Sequence, residues 1–64
     1  MKWRDDTYYH FCIVGGREYA ARRTSIGTTR MIVFVGDKRA ACIDDIPDLA
    51  TAQALARMIE GIRP

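Results

Sequence analysis

The chain has 64 residues, and 10 lysines and arginines against 8 aspartates and glutamates give it a formal net charge of +2. This length allows a single compact domain, 1-64, and excludes most enzyme folds that need a deep cleft between two layers or lobes. Hydrophobic residues make up 48% of the chain, as in an ordinary folded domain. The charge is too small to indicate a nucleic-acid mimic or a strongly basic nucleic-acid binder.

The apolar runs are too short for a membrane span. The longest, residues 31–35, has the length of a strand, whereas a span needs roughly 20 residues. Residues 1–6 lack the apolar stretch of a signal peptide, so we expect a cytoplasmic protein with no membrane contact. Cys12 and Cys42 are too few for a disulfide framework, and with one histidine they do not complete a zinc site. We therefore expect no metal and no cofactor.

The first predicted element in the chain is a β-hairpin. Residues 8–14 are rich in aromatic and β-branched side chains, and residues 17–24 supply the second strand. Gly15 and Gly16 between them can both adopt positive φ, as a two-residue type I′ turn requires. This turn predicts four cross-strand pairs on one face of the hairpin: Val14 with Arg17, Cys12 with Tyr19, His10 with Ala21 and Tyr8 with Arg23.

A second hairpin is predicted after a loop at residues 25–29. Its first strand, residues 30–35, is apolar on both faces, which is typical of a central strand. Its second strand is residues 38–43, and Gly36 begins the connecting turn, as type II′ geometry favours. We expect the segment 44–47 to end the sheet, because Pro47 cannot donate a hydrogen bond to a neighbouring strand.

The last predicted element is a helix over residues 49–60, with Asp48 as its N-cap and Gly61 at its C-terminal end. One apolar stripe recurs at helical spacing and consists of Leu49, Ala52, Leu55, Ala56, Ile59 and Ile62. The sequence therefore predicts an α+β fold, a four-stranded antiparallel sheet of two hairpins with one C-terminal helix packed on one face, in the order ββββα.

One helix covers only one face of such a sheet, so the other face is wet, paired with a second copy or bound to a partner. We expect Phe11 and Ile13 to lie under the helix. The uncovered face then carries Tyr8, His10, Cys12, Val14 and Tyr19, bordered by Arg17 and Arg23. An apolar and aromatic patch rimmed by arginines is typical of protein interfaces. The predicted partner-binding residues are Tyr8, His10, Arg17, Tyr19, Arg23 and Arg30.

No set of residues predicts catalysis. His10 and Cys12 share one face of a strand, but their two-residue offset holds them about 7 Å apart, too far for a nucleophile and its base. Asp44, Asp45 and Asp48 are explained by helix capping and by a solvated loop. We therefore expect that the protein is not an enzyme and has no catalytic residue.

The size of the chain, its short sheet and its helical segment 48–60 resemble the small proteins of bacteriophages and mobile elements, the anti-CRISPR inhibitors among them. Several of these inhibitors are a bare antiparallel sheet with a helix, and they dock on a Cascade subunit or an effector nuclease. The resemblance implies a non-enzymatic binding protein that inhibits or modulates a larger protein or ribonucleoprotein complex by steric docking. It carries over no functional residue, because the group shares no motif.

Two alternatives remain open from the sequence. The first is a small nucleic-acid-binding domain that uses an Arg/Tyr sheet surface, on which bases stack and arginines hold phosphates. The basic residues of this surface are Arg17, Arg22, Arg23, Arg30, Lys38 and Arg39. Alternation sends Arg22 and Arg23 to opposite faces and splits this set, so a nucleic-acid partner ranks below a protein partner. The second is a structural homodimeric subunit whose uncovered faces pair about a two-fold axis.

Overall fold

The computed structural model describes residues 2–62, which form a five-stranded antiparallel sheet with a helix packed on one face. The strands follow chain order across the sheet, and the elements are β1 (Arg4–Asp5), β2 (His10–Val14), β3 (Arg17–Arg23), β4 (Thr29–Val35), β5 (Lys38–Ile46) and α1 (Leu49–Ile62). The α+β class and the C-terminal helix are confirmed, whereas the expected number of four strands was wrong. Within residues 2–62, no helix combines the length and the apolar character that a membrane crossing needs.

The additional strand is β1, and a turn at Asp6 creates it. The Asp6 carboxylate accepts the backbone N–H groups of Tyr8, at 2.9 Å, and of Tyr9, at 2.8 Å. Aspartate favours such turns because its short side chain mimics a backbone acceptor. The chain therefore reverses before His10, and the predicted first strand was two residues too long. Tyr8 lies on this turn and does not pair with Arg23.

The two hairpin turns have the predicted geometry. Gly15 and Gly16 have φ values of 55° and 81°, as a type I′ turn requires, and the predicted pairing of Cys12 with Tyr19 is formed. Gly36 has a φ of 63° at the first central position of the second turn. Its N–H group donates to the Gly16 carbonyl at 3.4 Å, so the two turns lie side by side at one end of the sheet.

Strand β5 is longer than predicted and runs to Ile46. Its pairing with β4 is irregular between Thr29 and Met31, where Asp44 and Asp45 lie opposite one residue. Asp45 has a φ of 60°, a left-handed conformation that aspartate tolerates better than most residues. This bulge brings Ile46, 3% exposed, under the helix, so the aspartates bend the strand rather than end it.

The helix begins as predicted and ends later. Asp48 is its N-cap, because its carboxylate accepts the Thr51 N–H at 2.7 Å. Hydrogen bonds from the Thr51 side chain and backbone lower the pKa of Asp48 below its ordinary value. Gly61 lies within the helix, which continues to Ile62, so its predicted role as the terminating residue was wrong. Glycine accepts helical φ values as well as left-handed ones.

The core lies between the sheet and α1. Tyr19, Met31 and Val33 supply its volume from the sheet, while Ala52 and Ala56 face them from the helix. These two alanines are four residues apart, so they share one side of the helix and let it lie close to the sheet. We call the covered side of the sheet the closed face and the other side the open face.

The expectation that Phe11 and Ile13 lie under the helix was wrong. Successive side chains of a strand point to opposite faces, so Phe11 and Ile13 lie on the face opposite to that of Cys12. Cys12 and its partner Tyr19 are buried on the closed face. Covering the opposite face would also have buried the charged side chains of Glu18, Arg22 and Arg30, which is costly without partners.

Candidate functional site

The open face contains a continuous row of small and apolar residues. Phe11, Ala20, Ile32 and Cys42 are Cα partners across β2, β3, β4 and β5, so they lie side by side. Ala20 and Ile32 are only 6% and 8% exposed, although α1 lies on the other side of the sheet. The taller neighbouring side chains on the same face, such as half-buried Phe34, shield them.

A groove of about 430 Å³ runs along this face. Its lining residues are Asp6, Tyr9, Phe11, Glu18, Ala20, Ile32 and Phe34. Ala20 creates the depression, because the smallest of these side chains sits on the central strand between Phe11 and Ile32. The groove is therefore an apolar channel with aromatic walls.

Two carboxylates mark the ends of the groove. Glu18 lies toward the glycine turns, where it is the Cα partner of Ile13 and Phe34, and it is half-buried. Asp6 lies beside Tyr9 at the opposite end. The Tyr9 and Tyr8 backbone N–H groups lower the pKa of Asp6 and so stabilise its negatively charged form.

Arginines surround the groove. The Arg22 guanidinium lies over the Tyr9 ring, 5.8 Å from its centroid. Arg30 donates from Nε to the Asp44 carboxylate at 2.5 Å, and this hydrogen bond raises the pKa of Arg30. Two more arginines follow from the register: Arg4 opposite Phe11, and Arg39 opposite Phe34. An apolar centre with an arginine rim is thus present, and apart from Arg30 it is built from other residues than the sequence predicted.

Tyr19 and Arg17, two of the predicted partner-binding residues, both contact Glu60 near the C-terminal end of the helix. Tyr19 is fully buried on the closed face, and its hydroxyl donates to the Glu60 carboxylate. Burial, with the Glu60 hydrogen bond as the next cause, raises the pKa of Tyr19. Arg17 Nη1 lies 3.7 Å from the same carboxylate. Placing Tyr19 on the uncovered face was therefore wrong.

The other predicted residues are dispersed. Tyr8 is 73% exposed on the turn between β1 and β2. His10 Nδ1 contacts the Asp5 carboxylate, and Arg23 donates to the Gly27 carbonyl at 3.3 Å in the loop before β4. Arg30 lies on the open face, opposite Arg22. Of the six predicted residues, Arg30 is thus the one that borders the groove through its strand position.

Cys12 and Cys42 lie on opposite faces of the sheet, the first buried and the second exposed. His10 pairs with Asp5 rather than with Cys12. Within residues 2–62, no group of three or more histidine, cysteine, aspartate or glutamate side chains is arranged to hold a metal ion.

The chain matches no protein-family model, no curated protein and no solved structure.

Proposed function

We propose that this chain is a non-enzymatic binding protein that acts in the cytoplasm and modulates or inhibits a larger protein or ribonucleoprotein complex by docking through its open face. The observation that carries this proposal is the groove, whose aromatic walls no described element covers and whose rim is rich in arginine. Aromatic residues and arginine are the residue types most enriched at the centres of protein interfaces.

The size of the face agrees with docking. The domain measures 35 × 21 × 20 Å, so the footprint of its broad side is roughly 700 Å². A standard interface buries about 800 Å² on each partner. Hairpin turns and a packed helix fix this surface before binding, so association orders few groups in this protein. A bound domain of this size would block the partner site by occupying it.

The narrower proposal is an anti-CRISPR protein that blocks a Cascade or effector subunit. It is supported by the size of the chain and by the layout of a bare sheet with one helix. In this case the open face would occupy a surface needed for DNA binding, effector recruitment or assembly. Adding the purified chain to a purified Cascade or effector complex and measuring DNA binding and cleavage tests this narrower proposal directly.

Nucleic-acid binding is the second candidate, and the contact between Arg22 and Tyr9 favours it. Aromatic rings on a sheet, flanked by arginines, can stack bases and hold phosphates. Two features oppose it: Asp6 and Glu18 line the same groove and repel phosphate, and Asp44 already pairs with Arg30. A homodimer that buries two open faces is the third candidate.

The deciding experiment is capture of partners from bacterial lysate by the tagged chain and by two neighbouring variants. Phe34→Ser alters the open face, whereas Val35→Ser changes the next residue on the other face, where it is 50% exposed. We expect Phe34→Ser to lose the partner and Val35→Ser to retain it, with both variants folded by circular dichroism.

The same capture separates the candidates. A partner that survives nuclease and high salt supports protein docking. Binding that vanishes with nuclease and falls steeply with salt, with a slope near −0.9 per neutralised phosphate on duplex DNA, supports nucleic acid. A dimer in light scattering that Phe34→Ser dissociates supports the homodimeric subunit. Equal capture by the chain and by both variants would remove the open face from consideration.

A further inference from the structure

The groove has a charge opposite to that of its rim. The rim carries arginines, but the only charged residues that line the groove within residues 2–62 are Asp6 and Glu18. Between these carboxylates the walls are aromatic, from Tyr9, Phe11 and Phe34. Aromatic faces and carboxylates together form the usual surroundings of a bound cation.

Of the two carboxylates, Glu18 gives the stronger evidence that the groove binds a cation. It is half-buried beside Phe34, and no described cation forms an ion pair with it. Of the arginines near it, Arg30 pairs with Asp44 and Arg17 pairs with Glu60. A carboxylate that is partly removed from water gains most from a cation that arrives with a ligand.

We propose that the groove receives an arginine side chain of the partner protein, an inference that rests on the proposed docking function. The guanidinium would lie between the aromatic walls and donate to Glu18, while the apolar stem follows the Ala20 and Ile32 floor. A planar guanidinium suits this site because it stacks on aromatic rings and donates two parallel hydrogen bonds to a carboxylate. The Tyr9 ring already receives the Arg22 guanidinium, 5.8 Å from its centroid.

The shape of the groove agrees with this occupant. Its volume of about 430 Å³ lies within the range of sites that enclose small ligands. Ala20 leaves the floor open, because any larger side chain there would project into the channel between Phe11 and Ile32. We therefore expect one arginine side chain of the partner to fill the groove as its anchor. The arginines of the rim would then face acidic groups of the partner around that anchor.

The test uses acetyl-Gly-Arg-Gly-amide as the probe and the same peptide with citrulline, a neutral isostere of arginine. Titration into the ¹⁵N-labelled chain should shift the amide signals of Glu18, Ala20 and Phe34 in a saturable way. We expect the arginine peptide to bind at least about tenfold more tightly than the citrulline peptide. Equal affinities, or no shifts at these residues with either peptide, would overturn the proposal.

Two variants and a control define the site. Glu18→Gln should lower the affinity for the arginine peptide about tenfold and leave the weak citrulline binding unchanged. Ala20→Leu should prevent binding of both peptides by filling the groove. Asp37→Asn is the matched control, because it neutralises an exposed carboxylate in a turn outside the groove. If Asp37→Asn weakens arginine binding as much as Glu18→Gln does, general charge explains the binding and the proposal fails.

The partner capture described above separates this inference from the function on which it rests. If Phe34→Ser releases the partner and Glu18→Gln retains it, docking by the open face stands and the arginine anchor is wrong. If neither substitution changes capture, the docking function itself fails. Release by both substitutions, together with peptide binding that depends on Glu18, supports both proposals.

Discussion

Removing the Tyr19 hydroxyl is the most direct test of which face the helix covers. Tyr19 is fully buried under α1, and its hydroxyl donates to the Glu60 carboxylate, whose side chain is 15% exposed. Tyr19→Phe keeps the ring in the core and deletes this hydrogen bond. The substitution should therefore destabilise the folded chain, whereas it would have little effect on a surface-exposed tyrosine.

The magnitude follows from the charge and burial of Glu60. A hydrogen bond to a charged group contributes about 1.5–3 kcal/mol, and Arg17, 3.7 Å from the same carboxylate, offsets part of its loss. We expect Tyr19→Phe to lower the free energy of unfolding by about 1–2 kcal/mol. At about 4–8 °C per kcal/mol for a domain of this size, the melting temperature falls by roughly 5–15 °C.

Truncation of the same side chain has a larger effect. Loss of a buried aromatic side chain costs about 3–5 kcal/mol. The total stability of a 64-residue domain is roughly 3–10 kcal/mol, at about 0.05–0.15 kcal/mol per residue. Tyr19→Ser should therefore leave much of the protein unfolded at 37 °C, although it would merely reduce association if Tyr19 faced a partner.

Thermal and urea unfolding followed by circular dichroism measure these changes. Tyr8→Phe is the control, because Tyr8 is 73% exposed and should lose almost no stability. A double-mutant cycle of Tyr19→Phe with Glu60→Gln isolates their interaction, which should exceed about 0.5 kcal/mol. A Tyr19→Phe melting curve that overlays that of the original chain would refute the closed-face assignment.

Three further predictions test the turns, the acidic groups and the two faces. Gly16→Ala should cost about 1–2 kcal/mol in urea unfolding, because Gly16 has a φ of 81°, even though an added Cβ would meet nothing within 4 Å. Asp6 and Asp48 have pKa values below their ordinary value of 3.8, so their charged forms stabilise the fold above that pH. This stability is lost as the pH falls through the lowered pKa values. The double variant Asp6→Asn with Asp48→Asn should flatten that part of the melting-temperature profile. A thiol reagent should label Cys42 in the folded chain and Cys12, 2% exposed, only in denaturant.

Each of these three predictions has an outcome that contradicts it. Unchanged urea stability of Gly16→Ala would mean that the turn is not type I′. An acid profile that keeps its slope in the double asparagine variant would assign the acid loss to other carboxylates. Labelling of both cysteines at one rate without denaturant would mean that Cys12 is not covered.

Local signals in the sequence were sufficient for the hairpins and the helix start. Gly15 and Gly16 fixed both the turn and the register of β2 with β3, because only a two-residue turn with two positive φ values joins those strands. Asp48 marked the start of the helix in the same local way. The turn at Asp6 was missed, although an aspartate before two tyrosines carries a recognisable turn signal.

The candidate site was missed because the faces of β3 were assigned from β2 alone. Phe11 and Ile13 suggested a buried face, but the charged residues Glu18 and Arg22 share that face on the next strand. Reading both strands together would have placed Tyr19 and Ala21 under the helix and the groove on the opposite side.

The sequence by itself therefore determined the turns, the strand pairing of the first hairpin and the helix cap, since each depends on contacts within a few residues. The tertiary structure decided which face α1 covers, the reach of β5 to Ile46 and the placement of Glu18 among aromatic rings. These features depend on residues that are distant in sequence, and the helix selects the face whose burial leaves the fewest charges without water or a partner.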